Sequence, residues 1–163
     1  MIRLSLGLLE KQKQELEGEE PPEFLDLDAA SGMTVTSPFR YRLTAELVSG
    51  SVLVRGSFSY DVSGVCGRCL EDVTRTISSD DLSLYFEHPE AEAEELDISP
   101  DVREEALLEL PINLLCSDDC AGLCPHCGAN RNRETCSCSD DAPEPASGDR
   151  PDPWAALDGL KLT

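Results

Sequence analysis

Basic residues are scarce in this chain, and so are aromatic ones. Thirteen lysines and arginines stand against 33 aspartates and glutamates in 163 residues, for a formal charge of −20. A surface of that sign repels a nucleic-acid backbone, because binding there rests on Lys and Arg neutralising phosphates. It would steer instead toward a basic partner. Aromatics make up 5% of the chain, with a single tryptophan, so the core has to be modest. No stretch approaches the ~20 apolar residues of a membrane-spanning helix. The run from Met1 to Leu9 is broken by Ser5 and Gly7, stops at Glu10 and carries no small-residue cleavage site. It does not read as an export signal, and these absences lead us to expect a cytoplasmic protein with no membrane partner. Enzyme signatures are missing as well. The chain has no G-x-x-x-x-G-K-[ST], no G-x-S-x-G and no H-E-x-x-H, the patterns that cradle phosphate, expose a serine nucleophile or bind catalytic zinc. Its acidic pairs sit in loop-like segments and read as solvation. A non-enzymatic protein is the expectation.

Cysteine, by contrast, is abundant. Cys116, Cys120, Cys124, Cys127, Cys136 and Cys138 crowd into one short segment, and Cys66 and Cys69 form an earlier C-x-x-C. A disulfide framework is the competing reading of an even count, but it needs an oxidising compartment. In a reducing one, four short cysteine pairs read as metal ligands. Eight thiolates suffice for two zinc sites of the four-cysteine type, which leave no open position for water and are therefore structural. The most economical partition makes one site local, from Cys124, Cys127, Cys136 and Cys138. The other, from Cys66, Cys69, Cys116 and Cys120, then joins distant segments; interleaved partitions stay open. A redox pair is a weaker reading, since neither C-x-x-C opens a helix after a buried strand. His126, inside a C-x-x-C turn, is an alternative ligand, and His88 has no partner visible in sequence.

The rest of the chain reads as α+β: an antiparallel meander with a few short helices and the cysteine-rich segment at its C-terminal side. Residues 1–17 read as a short strand continuing into a helix from Leu8 to Leu16, and Phe24 to Leu27 as a short strand. Leu43, Ala45 and Leu47 alternate with polar residues, as do Val52, Val54, Phe58, Tyr60 and Val62, around Ser49-Gly50-Ser51. That is a hairpin pattern. Val73 to Ile77 and Leu82 to Phe86 read as two further strands. Residues 87–97 read as an acidic loop. Ser99-Pro100-Asp101 reads as a helix start, with Ser99 as the cap. The organisation expected is a sheet domain over 1–115, a zinc segment over 116–138, a linker over 139–151 and a short helix over 152–163. That last helix carries Trp154, Leu157 and Leu160 on one face.

Arg68, Arg131 and Arg133 lie beside the cysteines. They are candidates, with Trp154, for contact with a partner. The plainer role of the arginines is to offset the negative charge of zinc tetrathiolates.

Two blocks of the chain together resemble the YceD family, the large ribosomal RNA subunit accumulation proteins. The first is Val54 to Phe58 leading to Val65-Cys66-Gly67-Arg68-Cys69-Leu70. The second runs from Leu110-Pro111 through Cys116 and Cys120 to Cys124-Pro125-His126-Cys127-Gly128, then Cys136-Ser137-Cys138. Asp152-Pro153-Trp154 to Leu160 is similar to the family's last helix. The resemblance implies a non-enzymatic factor for accumulation of large-subunit (23S) ribosomal RNA. It makes a basic ribosomal protein or a large-subunit precursor the expected partner. Direct RNA binding through a zinc-ribbon-like surface is the alternative, and a thiol redox sensor a more distant one.

Overall fold

A computed structural model of the chain describes residues 1–87 and 94–138. The main sheet is antiparallel. Its strands are β2 (Gln14–Glu20), β3 (Met33–Val35), β4 (Phe39–Val48), β5 (Ser51–Val65) and β6 (Asp72–Phe86). β5 is the axis. One side of it pairs with β4 over residues 51–59 and with β3 over residues 62–64, and β6 takes the other side along its whole length. β2 pairs with β4. The β4–β5–β6 part is the expected meander. A second, two-stranded ribbon joins β1 (Arg3–Ser5) to β7 (Glu95–Asp97). One helical turn, α1 (Leu6–Leu9), one longer helix, α2 (Ser99–Leu108), and two 3-10 turns, Pro22–Leu25 and Ala29–Ser31, complete the elements among the described residues.

One face of the sheet is buried. Phe39, Leu43, Ala45, Val52, Val54, Phe58, Tyr60, Val62, Ile77, Leu82 and Leu84 all point into a single core. The few aromatics are concentrated there. Phe39 stacks on Phe58 at 5.4 Å and lies 5.1 Å from Phe24, and Phe58 stacks on Tyr60 at 6.2 Å. Each such side chain, fully buried, contributes about 1.5–3 kcal/mol. α2 covers this face with Val102 and Ala106. The buried Tyr60 hydroxyl donates to the Ala106 carbonyl at 2.6 Å, and burial raises its pKa. The opposite face carries Arg40, Arg42, Ser57, Ser59 and Ser78, with Glu17 and Glu19 alongside the arginines.

Gly56 lies in the middle of this sheet for a steric reason. A Cβ there would sit 2.1 Å from the Arg42 carbonyl oxygen. Opposite it the register shifts: Gly56 pairs with Leu82, but Phe58 pairs with Ser79. The extra residue is a β-bulge, and it resets which side chains face the core.

Several expectations are corrected. No helix runs from Leu8 to Leu16: helical structure stops at Leu9, and residues 14–20 form β2, because the edge of β4 supplies cross-strand partners that outweigh helical propensity. Phe24 to Leu27 is no strand but a 3-10 turn over Pro22–Leu25, since proline at its start fixes the backbone for a turn. Val73–Ile77 and Leu82–Phe86 are one strand, split in appearance by the bulge. Residues 95–97, expected in a loop, form β7. Ser99 does not cap its own helix. Its hydroxyl accepts from the Ile2 amide at 2.6 Å, and Asp97 accepts from the Ser99 amide at 2.9 Å. The linker over 139–151, the helix over 152–163 with Trp154, Leu157 and Leu160, and His88 all lie outside the described residues.

Candidate metal centres

The turn joining β5 to β6 holds the first cysteine pair. The Cys66 amide donates to the Glu71 carbonyl at 2.8 Å, and the Leu70 amide to the Cys66 carbonyl at 3.0 Å. The turn over Cys124 to Ala129 repeats the pattern: the Cys124 amide donates to Ala129 at 2.8 Å, and the Gly128 amide to Cys124 at 2.9 Å. In both, the residue after the second cysteine is left-handed, with φ of 61° at Leu70 and 75° at Gly128. The chain therefore builds the same sulfur-presenting turn twice, on sequences sharing only their cysteines. An isolated bridge between Leu123 and Asn130 closes the second turn at its base.

A bond from the Gly67 amide to the Leu114 carbonyl, 2.8 Å, ties the chain after α2 to the first turn. It brings Cys116 and Cys120 to Cys66 and Cys69. Cys66 Sγ and Cys120 Sγ are 3.8 Å apart, and Cys69 Sγ and Cys116 Sγ 3.6 Å. All four sulfurs lie within 4.8 Å of one another, as do those of Cys124, Cys127, Cys136 and Cys138. Four sulfurs placed ~2.3 Å from one tetrahedral ion are about 3.8 Å apart. Each cluster thus has the size of a four-thiolate cage, and each could hold one metal ion. The first cluster is buried except at Cys116; the second exposes Cys127 and half-buries Cys136 and Cys138.

Backbone amides prepare the sulfurs. The amides of Cys69, Arg68 and Cys116 pull the Cys66 thiol down to about 6. Those of Cys127 and His126 pull Cys124 down to about 6. Cys69 receives the Glu71 amide, yet burial and the crowd of neighbouring thiols push it up to about 12. Cys138 is pushed up to about 12 by Cys127, by its own burial and by Cys124. In the first cluster Cys66 and Cys120 are thus favoured as thiolates while Cys69 and Cys116 resist, and in the second Cys124 is favoured while Cys138 resists, which is the behaviour of thiols crowded around one point. A cation at the centre removes that conflict.

The arginines here have partners. Arg68 Nη1 donates to the carbonyls of Asp118 and Cys120, at 2.9 and 3.1 Å, and so fixes the loop that presents Cys120. Arg133 pairs with Glu71 at 2.8 Å, linking the second turn to the first. The Arg131 amide donates to Gly122 at 2.9 Å. His126 stands outside the gathered sulfurs.

Sequence reasoning missed Asn132. Its side-chain amide donates to Cys120 Sγ at 3.3 Å and to Asn130 at 2.8 Å, while its oxygen accepts from the Ala121 amide at 2.8 Å. A residue of the second loop thereby orients a ligand of the first. No periodicity or spacing signals such a contact.

The chain thus carries two repeated cysteine turns, each joined by a second pair into a four-sulfur cluster that could hold a metal ion. It belongs to the family described as Large ribosomal RNA subunit accumulation protein YceD, whose model matches residues 54–161. An uncharacterized protein of Mycobacterium tuberculosis (strain ATCC 25618 / H37Rv) is 32% identical over 100 residues, covering 53% of this chain and 48% of the relative. The chloroplastic large ribosomal RNA subunit accumulation protein YCED homolog 1 of Arabidopsis thaliana is 41% identical over 51 residues, 31% of this chain and 16% of that protein. Its Zea mays counterpart is 38% identical over 79 residues, 48% of this chain and 26% of that protein. The chain thus spans about half the length of the mycobacterial relative and less of the plant ones. No solved structure matches. No helix among the described residues is long and apolar enough to cross a membrane.

Proposed function

We propose that this chain is a non-enzymatic cytoplasmic factor that supports accumulation of large-subunit (23S) ribosomal RNA. It acts by binding a basic ribosomal protein or a large-subunit precursor, and a structural zinc ion sits in each four-cysteine cluster. The family match carries the biological role, because it runs across β5, β6, α2 and both cysteine clusters. Zinc suits donor sets of four thiolates, and such sites are closed to substrate. The formal charge of −20 supports a basic partner, since complementary charge speeds encounter and excludes like-charged competitors. The arginines of the metal lobe argue in the same direction. Arg68 is engaged by carbonyls and Arg133 by Glu71, so neither is a ready phosphate ligand.

The test is a titration of labelled large-subunit RNA fragments and of basic ribosomal proteins at matched ionic strength. Binding of a ribosomal protein, with weak binding of bare RNA, is the expected result. Tight RNA binding that is lost in Arg131→Glu and Arg133→Glu, with no affinity for any ribosomal protein, overturns the reading in favour of a direct RNA binder.

A further inference from the structure

Among the described residues the sheet ends in three strands, β2, the three-residue β3 and β6, and the two longer edges differ in kind. The outer edge of β2 carries four glutamates in seven residues, the sort of charge that discourages another strand. The outer edge of β6 belongs to a 15-residue strand for which no backbone bond to a further element is found among the described residues. Its bulge and its Asp80-Asp81 pair guard the middle. From Val73 to Ser79 there is no proline and one charge, Arg75.

The bond from the Cys66 amide to the Glu71 carbonyl sets the hydrogen-bond phase of the β5–β6 ladder. Paired residues alternate between bonded and non-bonded positions. Val73, Arg75 and Ile77 therefore bond toward β5, and Thr74, Thr76 and Ser78 turn their N–H and C=O outward. The β3 side agrees: the Thr36 amide donates to the Asp61 carbonyl at 2.8 Å, so Asp61 and Ser63 face β3 while Val62 and Gly64 face β6. Two clefts flank this edge. One, of about 250 Å3, lies between residues 75–78 and Glu109 with Pro111. The other, of about 320 Å3, lies between residues 73–75 and residues 115–118. Asp72 and Asp80 on the strand, Glu109 in one cleft and Asp118 in the other flank the edge. Arg75 sits 3.9 Å from the Asp118 carboxylate, and Arg68 donates to the Asp118 carbonyl.

We propose that the β6 edge from Val73 to Ser78 accepts, as an added strand, an extended basic segment of a protein partner. Thr74, Thr76 and Ser78 supply the main-chain bonds, the two clefts receive alternate side chains, and the acidic rim selects lysine and arginine on the incoming strand. This inference rests on the reading that the partner is a basic protein.

The probe is a fluorescent peptide of about nine residues alternating lysine and valine, long enough to run the whole edge at ~3.3 Å per residue. Its control is the same peptide N-methylated at every residue, equal in charge but with no backbone N–H left on either edge to join a sheet. Anisotropy is read against the full metal-loaded chain at physiological ionic strength. The parent peptide is expected to bind at least about tenfold more tightly than the methylated one, the effect of losing several main-chain hydrogen bonds. Thr76→Pro removes an outward-facing donor, a position where an edge strand tolerates proline, and should bring parent binding down to the methylated level. If Thr76→Pro fails to fold, the methylated control decides alone. Equal affinity for both peptides, no binding of the parent, or equal binding of a glutamate-for-lysine analogue overturns the inference. So does a self-association of the chain that Thr76→Pro abolishes, which would assign the edge to a second copy. Ribosomal-protein binding unaffected by Thr76→Pro sinks this inference and leaves the function reading intact. A positive peptide result with no ribosomal protein bound does the reverse.

Discussion

Leu70 and Gly128 occupy the same station in their two turns, and only one of them is suited to it. A left-handed backbone costs a side-chain-bearing residue about 1–2 kcal/mol relative to the right-handed form, and glycine almost nothing. Nothing lies within 4 Å of a Cβ built on Gly128, so Gly128→Ala should cost about 1 kcal/mol from conformation alone. Leu70→Gly should be neutral or stabilising by up to about 1 kcal/mol, as relief of strain offsets the added freedom of the unfolded chain. Gly56→Ala is a different case. The added methyl would collide with the Arg42 carbonyl in the middle of the sheet, and a loss above about 3 kcal/mol is expected. Urea unfolding of the metal-loaded variants gives all three values; a Gly56→Ala protein as stable as the parent contradicts the packing described. Asn132→Ala should speed metal loss from the first cluster by roughly 10-fold or more, the usual effect of removing a group that orients a ligand. Chelator competition measures it, and an unchanged rate would leave Asn132 with no role at the sulfur. At this scale the cysteines were legible because their spacing is chemistry written into sequence. Asn132 was not, because a single side-chain bond across 12 residues leaves no pattern.

The hairpin of β4 and β5 was readable element by element, since alternation around Ser49-Gly50 is a local signal. β6 was readable only in halves. The bulge opposite Gly56 shifts the buried set from Ile77 and Ser79 to Leu82 and Leu84, and a period-2 reading takes a change of parity for a strand end. β2 was lost altogether: Gln14–Glu20 has helix-forming residues, and only pairing with β4 makes it a strand. The metal turns are where elements meet, so their mutants should separate them. Cys127→Ser removes a sulfur whose group spans residues 124–138 and should release amide protection mainly there. Cys69→Ser removes one that joins the β5–β6 turn to the segment after α2, and should free residues 110–121 as well, since a structural ligand carries part of the folding energy. Hydrogen exchange on both proteins decides. Full protection of 110–121 in Cys69→Ser would mean that the first cluster does not hold that segment in place.

The whole molecule couples two facts, two sulfur cages and a large negative charge, and each has its own test. Protein prepared without added metal should carry close to two zinc ions per chain by elemental analysis, one for each gathered set of four sulfurs. One ion would leave the more exposed second cluster as the empty site, and none would remove zinc from the account. The charge makes a kinetic claim. With 33 acidic residues against 13 basic ones, association with a basic ribosomal protein should be accelerated by long-range attraction, and that attraction is screened beyond ~8 Å at physiological ionic strength. Raising salt should therefore slow the on-rate steeply while changing the off-rate little, because steering acts before contact and short-range packing acts after it. Stopped-flow mixing over a salt series separates the two rates. Replacing several acids of residues 87–97 by their amides should slow association if that segment contributes to the field. An on-rate indifferent to salt would mean that the charge serves solubility alone, and that recognition rests on contacts such as the β6 edge without electrostatic guidance.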